Sequence, residues 1–153
     1  MNFREAFSNY AKGDYMEHFW AVYWRRERAK NRLWKDILTF RLSRMAHKHG
    51  GYLGKGAKFA DTPTLPHGLH GIFISRYAAI GANCRIYQNV TIGEVERKAP
   101  TVGNNCLIGA GAVLIGGLSI GDNVKIGAGA VVCTDIPDNC TVVSPPCRII
   151  KRG

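Results

Sequence analysis

Histidine is the side chain of this 153-residue chain best suited to acid–base chemistry, because it titrates near neutral pH and can take a proton from a hydroxyl group. The chain has five histidines, at positions 18, 47, 49, 67 and 70, and none follows residue 70. His67 and His70 lie close together, on either side of a glycine. The absence of later histidines argues against a metal site in the C-terminal part, so no metal is expected.

Cysteine is the other reactive side chain. The five cysteines, at positions 84, 106, 133, 140 and 147, are odd in number and form no C-x-x-C pair. The N-terminus, Met-Asn-Phe-Arg-Glu, lacks the apolar run of a secretory signal. These features predict a reduced, cytoplasmic chain. Cys84 and Cys106 each follow an aliphatic residue of the repeat described below by four positions, which predicts that they are small core residues.

The composition divides the chain near Gly50. Only two of the 18 glycines, Gly13 and Gly50, lie in the first fifty residues, which hold all three tryptophans, whereas all five cysteines lie beyond them. We therefore predict an N-terminal helical segment over residues 1–50 and a second domain over residues 51–153. Hydrophobic residues make up 46% of the chain, which is enough to form a packed core.

The formal net charge of +10 raises the question of an anionic partner. No zinc-finger spacing, aromatic RNA-binding motif or arginine-rich run accompanies it, so no nucleic acid is expected. Residues 99–121 are uncharged, but glycines and asparagines interrupt them in a pattern that no membrane helix requires. The positive charge therefore fits an anionic small molecule, an acidic polymer or a membrane surface.

A repeat of six residues runs through the second domain. Aliphatic residues recur at this interval, with one longer step after Ile92: Ile74, Ile80, Ile86, Ile92, Val102, Ile108, Leu114, Ile120, Ile126 and Val132. The residue three positions after each of them is most often Asn, Gly or Asp, which accept the left-handed backbone conformation at low cost. One turn in every six residues, without helices, predicts a β-solenoid.

The spacing of the turns predicts the size of a coil. If three hexads close one coil, equivalent residues lie 18 apart, or 22 apart across the longer step. Asn83, Asn105 and Asn123 have these spacings and are expected to stack. The Ile-Gly-Ala-Gly-Ala segments at 108–112 and 126–130 are expected to stack in the same way, which gives a smooth Gly/Ala strip with accessible backbone amides.

Four motifs carry a resemblance to a known family: residues 66–74, 88–93, 108–112 and 146–150. With the hexads, they resemble the hexapeptide-repeat acyltransferases, and most of all the serine acetyltransferase branch, which includes O-acetyltransferases of surface polysaccharides. The resemblance implies a left-handed parallel β-helix over residues 51–153. It also implies a homotrimer with active sites between neighbouring subunits and acetyl-CoA as the donor.

The resemblance assigns a general base. The family's catalytic histidine follows a proline step and precedes a strand like Gly-Ile-Phe-Ile, which corresponds to His67. The family places that histidine three residues before the glycine, whereas His67 lies four before Gly71, so His70 is a rival base. Asp61 is the candidate for a carboxylate that orients the imidazole.

The resemblance also implies which residues hold acetyl-CoA. They are the Gly/Ala strip, the end of the Val-Thr-Ile-Gly motif and the basic C-terminal end: Gly93, Gly109, Ala110, Gly127, Ala128, Arg148 and Lys151, with Arg152 beside them. Arginine and lysine suit the phosphates of the cofactor. The alternatives are that the glycines serve coil packing alone and that the C-terminal cations form a solvated tail.

The acceptor is where the chain departs from serine acetyltransferases. Those enzymes have an Asp before the histidine and an Arg-His pair before a proline of the protruding loop; here Pro66 and Lys98-Ala99 stand instead. We therefore expect the hydroxyl of a sugar or glycan precursor as acceptor, with serine, as in cysteine biosynthesis, as the alternative. Glu94 and Glu96 either contact the acceptor or are solvated. A non-catalytic trimeric scaffold is a further alternative.

Residues 15–45 are expected to be helical and to cap the open end of the solenoid. Their apolar residues form two stripes: Phe19, Val22 and Tyr23, and Leu33, Ile37 and Phe40. A peripheral contact of the intervening arginines with a membrane surface or an acidic glycan is the lesser hypothesis.

Overall fold

The computed structural model describes residues 16–145. Within them, helix α1 (Glu17–Arg28) and helix α2 (Arg32–Lys48) precede thirteen short strands. The strands are β1 Tyr52–Leu53, β2 Lys58–Phe59, β3 Phe73–Ile74, β4 Ala79–Ile80, β5 Arg85–Ile86, β6 Thr91–Gly93, β7 Thr101–Val102, β8 Leu107–Ile108, β9 Val113–Ile115, β10 Ser119–Ile120, β11 Lys125–Ile126, β12 Val131–Val132 and β13 Thr141–Val142.

The strands form three parallel sheets that make a β-solenoid of about four turns, as the hexads predict. The first sheet has the order β1-β3-β6-β9-β12, the second β2-β4-β7-β10 and the third β5-β8-β11-β13. We call the turns from the first to the second sheet the loop corner. The turns from the second to the third sheet form the asparagine corner, and those from the third to the first form the histidine corner.

The core is a column of aliphatic side chains along the solenoid axis. Every hexad aliphatic from Ile74 to Val132 is at most 3% exposed. The register agrees with the predicted coil, since Leu107 pairs with Lys125, 18 residues on, and Arg85 pairs with Leu107, 22 residues on. Burial of each such side chain contributes about 2 kcal/mol, compared with about 1 kcal/mol for one backbone hydrogen bond.

The asparagine corner is held by a ladder of side-chain amides. Asn83, Asn105, Asn123 and Asn139 all have a positive φ, between 54° and 60°. The Nδ2 of Asn83 donates to Oδ1 of Asn105 at 2.9 Å, and each asparagine continues to the next at 3.2 and 3.0 Å. The predicted stack is confirmed, and it extends by one member that lies only 16 residues beyond Asn123.

The loop corner turns without left-handed residues at the positions where the hexads predict them. Tyr77, Gly117 and Asp135 are not among the described residues with a positive φ. Side chains shape these turns instead: the backbone N–H of Tyr77 donates to Oγ of Ser75 at 3.1 Å, and Oδ1 of Asp135 accepts from the N–H of Ser119 at 2.8 Å. The expectation of one left-handed turn per hexad is therefore wrong at this corner.

Cys84 and Cys106 are core residues, as predicted. Both side chains are buried, at 0% and 2% exposure. Each Sγ lies 3.2 Å from a carbonyl oxygen, that of Gly103 for Cys84 and that of Gly121 for Cys106. Burial raises the pKa of the Cys84 thiol to about 11, so the reactive thiolate is scarce at neutral pH.

The region predicted to be helical over residues 15–45 forms two helices. Ala29 is extended, with ψ 123°, and the side chain of Asn31 caps α2 by accepting a hydrogen bond from the N–H of Trp34 at 3.0 Å. Helix α1 packs on the first coil, where the hydroxyl of Tyr23 donates to the carbonyl of Ala57 at 3.0 Å. It thereby covers that end of the solenoid.

Only one of the two predicted apolar stripes is buried. The first stripe, on α1, lies in the core. Helix α2 instead buries a different face, formed by Leu38, Leu42 and Ala46, and leaves Leu33, Ile37 and Phe40 at the surface. Neither described helix is long and apolar enough to cross a bilayer.

The asparagine ladder leads to a prediction about stability. Replacing Asn105 by Ala removes two ladder hydrogen bonds and places in the left-handed conformation a residue that accepts it less readily than asparagine, which together should cost about 2 kcal/mol. Asn105→Gly loses the same hydrogen bonds but not the conformational preference, and should cost about 1 kcal/mol. Urea unfolding measures both; a glycine variant less stable than the alanine variant would contradict the explanation.

Candidate active site

The histidine corner forms one continuous edge along the solenoid. The N–H of Asn89 donates to the carbonyl of His70 at 2.9 Å, and that of Gly111 donates to the carbonyl of Gln88 at 3.0 Å. One coil further, the N–H of Gly129 bonds the carbonyl of Ala110 at 2.8 Å. These bonds bring the first-coil histidines and both Gly-Ala-Gly segments onto the same edge.

His67 stands on a bulge of this corner. Nine residues separate Thr64 from Phe73 in the first coil, whereas six separate the equivalent Arg85 and Thr91, so three extra residues protrude. These extra residues are accommodated by two turns. In the first turn the N–H of Gly68 donates to the carbonyl of residue 65, and in the second the N–H of residue 72 donates to the carbonyl of residue 69, both at 3.1 Å. Pro66 occupies the second position of the first turn, which proline favours.

The two candidate bases have different neighbours. The exposed imidazole of His67 lies 6.2 Å, centroid to centroid, from the ring of Tyr87 in the next coil. The ring of His70 lies 5.5 Å from that of His49, at the end of α2. His67 therefore faces the coils that carry the Gly/Ala strip, while His70 faces the helical segment.

The carboxylate suggested for orienting the imidazole lies elsewhere. Oδ1 of Asp61 accepts a hydrogen bond from the N–H of Thr62 at 2.6 Å. This places Asp61 in the turn after β2, at the asparagine corner rather than the histidine corner. The aromatic ring of Tyr87 is thus the neighbour of His67 that the structure provides.

The Gly/Ala strip combines close packing with free donors. The amides of Gly109 and Gly127 are used in coil stacking, donating to the carbonyls of Ile126 and Val142 at 2.8 Å. A Cβ on Gly109 would lie 2.6 Å from the backbone nitrogen of Ala128, so only glycine fits there. Within residues 16–145, the amides of Ala110 and Ala128 have no backbone acceptor. The donors of the strip are therefore these two alanines.

Gln88 is a residue of this corner that the sequence analysis missed. Its side-chain Oε1 is buried and has no hydrogen-bond partner in the described part of the chain. It occupies in its coil the position that Ala110 occupies in the next. A buried acceptor without a partner is costly, so a donor group of a ligand would be stabilised here. No spacing or composition distinguishes this glutamine from any other corner residue.

Gly93 lies at the loop corner, at the opposite end of the first sheet. Its carbonyl accepts from the N–H of Gly116 at 3.2 Å. Three residues of extended strand, about 10 Å, separate it from the histidine corner of the same coil. Within one chain, Gly93 is therefore apart from His67 and the strip. Arg148 and Lys151 lie outside the described residues.

The protruding loop after Gly93 is a small hairpin. Val95 and Lys98 exchange two backbone hydrogen bonds of 2.9 Å, and the tip residues Glu96 and Arg97 have φ of 50° and 64°. At the base of the loop, Oγ of Ser75 forms a short hydrogen bond with the carboxylate of Glu94. Both tip residues adopt a conformation that disfavours side chains, which is typical of functional loops.

Two shallow grooves adjoin the loop. One, of about 200 Å³, lies on the first sheet and is lined by Phe73, Ser75, Thr91 and Glu94, among others. The other, of about 630 Å³, is lined on one side by Arg97 and Lys98. No group of three or more His, Cys, Asp and Glu side chains with metal-binding geometry occurs among residues 16–145.

Comparison with known proteins matches this chain to transferases. The family described as bacterial transferase hexapeptide (six repeats) matches residues 99–134. A serine acetyltransferase of Synechococcus elongatus is 44% identical over 102 residues, which are 64% of this chain and 41% of that protein. A serine acetyltransferase of Staphylococcus aureus is 41% identical over 101 residues, 63% of this chain and 47% of its own.

Solved structures give the same result. The serine acetyltransferase of Neisseria gonorrhoeae in complex with serine is 33% identical with a TM-score of 0.66, and covers 75% of this chain and 48% of its own. That of Brucella abortus has a TM-score of 0.72 at 28% identity, and covers 88% of this chain and 55% of its own. The chain thus spans about half the length of the relatives it matches.

These relatives overturn the predicted acceptor. The expectation of a sugar or glycan hydroxyl is wrong, because the curated relatives and the structural neighbours are serine acetyltransferases. That expectation was based on the missing Asp before the histidine and the missing Arg-His pair of the loop, which is weak evidence because other charged groups can take their place. Glu94, Glu96, Arg97 and Lys98 provide such groups, of both charges.

The family resemblance is confirmed by the coils, by their register and by the comparisons. The hexads form parallel coils, the stacked asparagines and Gly/Ala segments are in register, and both sequence and fold match the same group of proteins. The solenoid of this chain thus carries the repeats of the bacterial transferase hexapeptide family over residues 99–134 and is similar to that of the serine acetyltransferases.

Proposed function

We propose that this chain transfers an acetyl group from acetyl-CoA to the hydroxyl of serine, with His67 as general base. The observation that carries the proposal is the composition of the histidine corner. His67 stands on the same edge as Ala110 and Ala128, whose amides have no backbone acceptor within residues 16–145. A proton acceptor and a row of hydrogen-bond donors are what an extended thioester with an attacking hydroxyl requires.

The strip fits the arm of acetyl-CoA. Gly109 and Gly127 have no side chains that could cover the edge, and the amides of Ala110 and Ala128 can donate to the carbonyl oxygens of the arm. Acetyl-CoA supplies the electrophilic thioester carbon. The phosphates are assigned to Arg148 and Lys151, on the family resemblance alone, and Gly93 to the thioester end on the same basis.

The reaction needs one proton carrier. The neutral imidazole of His67 accepts the proton of the serine hydroxyl as the oxygen bonds to the carbonyl carbon. The carbon–sulfur bond then breaks, and the imidazolium returns the proton to the departing thiolate, which leaves O-acetylserine and CoA. The ring of Tyr87 lies on one side of His67 and limits the positions of the imidazole.

The loop supplies charges that suit an amino acid. Serine carries an ammonium and a carboxylate, and the loop carries acids and bases within five residues. The bond from Ser75 holds the Glu94 carboxylate at the base of the loop, where it can pair with the ammonium. Arg97, at the tip, can pair with the carboxylate.

A homotrimer completes this arrangement. The first sheet has apolar outward side chains, with Tyr52, Phe73 and Val131 exposed by 44%, 48% and 69%, whereas the other two sheets present Lys58, Arg85 and Lys125 at equivalent positions. Packing of the first sheet against neighbouring copies buries the apolar side chains. It also brings the loop of one copy toward the histidine corner of the next.

The general base is tested by comparing the two histidines. His67→Ala should lower kcat for acetylation of L-serine at least 100-fold, because a positioned base contributes about that factor. His70→Ala is the matched control at the same corner and should stay within about threefold of the wild type. The readout is release of CoA thiol together with the mass of acetylated serine. Full activity of His67→Ala, or no acetylation of serine by the wild type, contradicts the proposal.

The donor strip is tested by a bulky side chain on its exposed edge. Ala128→Trp should raise KM for acetyl-CoA about tenfold or more, because the indole covers the free amides without entering the core. Ala60→Trp places the same group on an exposed residue before the asparagine corner and should leave KM unchanged. Equal effects of the two variants would show that the strip does not hold the donor.

The loop tip gives a prediction in which stability and binding change in opposite directions. Arg97→Gly relaxes a positive φ and should raise the free energy of unfolding by about 1 kcal/mol. It should also raise KM for serine about tenfold, because the partner of the carboxylate is lost. Glu96→Gly, with a similar backbone gain, serves as the control for the change in stability. An Arg97→Gly variant with unchanged KM for serine would exclude the residue from the acceptor site.

A further inference from the structure

Helix α2 has an apolar face that nothing in the described part of the chain covers. Leu33, Ile37 and Phe40 are 71%, 42% and 68% exposed. Their spacing of four and three residues places them on one side of the helix, opposite Leu38 and Leu42, which pack on the core. Exposed apolar side chains aligned in this way mark an interaction surface.

Cations continue the same face toward the C-terminal end of α2. Arg41, Arg44 and Lys48 line, with Phe40, a groove of about 460 Å³. The ion pairs among residues 16–145 are Arg26–Glu27 and Lys55–Asp36, so these three cations have no acidic partner there. We call Leu33, Ile37, Phe40 and the three cations the α2 face.

The single acid of α2 does not neutralise this face. Asp36 is held by Lys55 of the solenoid, with Nζ and Oδ1 2.6 Å apart. That contact lowers the pKa of the carboxyl, so its charge is balanced by a cation outside the helix. The groups lining the groove beside Phe40 are otherwise His18, Met45 and His49, which add no negative charge.

The chemistry of the α2 face selects its partner. A second copy of the chain is disfavoured at this face, because two such faces would place the cations of one copy against those of the other. The partner must offer dense negative charge above an apolar layer. We infer that the α2 face binds the surface of an anionic phospholipid bilayer.

In this contact each part of the face has a role. Phosphate headgroups pair with Arg41, Arg44 and Lys48, and the side chains of Ile37 and Phe40 insert among the upper acyl carbons. Trp34, 39% exposed beside this row and 5.1 Å from the guanidinium of Arg25, lies at the level where tryptophan favours the interface. The contact does not depend on acetyl transfer.

Vesicle flotation of the full chain tests the inference. The wild type should float with phosphatidylcholine vesicles that contain phosphatidylglycerol and not with pure phosphatidylcholine, and binding should fall as salt is raised. Arg41→Glu with Arg44→Glu should reduce binding at least about tenfold. Lys58→Glu with Lys125→Glu makes the same change of charge on the solenoid and should leave binding intact. Thermal unfolding checks that each variant is folded.

The apolar part is tested separately. Ile37→Ser with Phe40→Ser should weaken binding to the anionic vesicles at every salt concentration, and soluble polyglutamate should compete poorly. The inference is overturned if the wild type does not float at low salt, or if both charge variants lose binding equally. It is also overturned if polyglutamate binds as tightly as the vesicles. A further contradicting result is that the wild type does not bind vesicles while the Ile37→Ser, Phe40→Ser variant has a different number of subunits by light scattering.

Discussion

The structure depends on stacking residues in the left-handed backbone conformation at two of its three corners. At the asparagine corner, the amide ladder from Asn83 to Asn139 fixes how each coil sits on the one before. Because the strands are only two or three residues long, their register cannot be set by the sheets alone. The stacked turns set it, and the aliphatic column then fills the interior in the same register.

The histidine corner also stacks residues in the left-handed conformation, but most of them are glycines. The left-handed residues that stack at this corner are Gly71, Asn89, Gly111 and Gly129, so the side-chain ladder is replaced by glycine in three coils of four. The edge is therefore bare, and two amides next to these glycines have no backbone acceptor within residues 16–145. One solenoid thus has a corner closed by side chains and a corner left open, at which we propose that the donor binds.

The sequence predicts what the period of six governs. The buried aliphatics, the stacked asparagines and the core positions of Cys84 and Cys106 all follow from spacing, because spacing alone decides which residues meet in a solenoid. Asn139 was missed because the last coil is two residues shorter. The exposure of Leu33, Ile37 and Phe40 was also not predicted, because the sequence of an apolar stripe does not show whether another part of the fold packs against it. The acceptor was predicted wrongly because missing side chains do not identify a substrate.

Binding of the donor at the histidine corner can be measured by the backbone amide chemical shifts of this chain on titration with CoA. The largest shifts should occur at Ala110 and Ala128 and at their neighbours along the strip, with smaller shifts near His67. Shifts confined to the asparagine corner, around Asn104 and Asn123, or no saturable shifts at all, would contradict it.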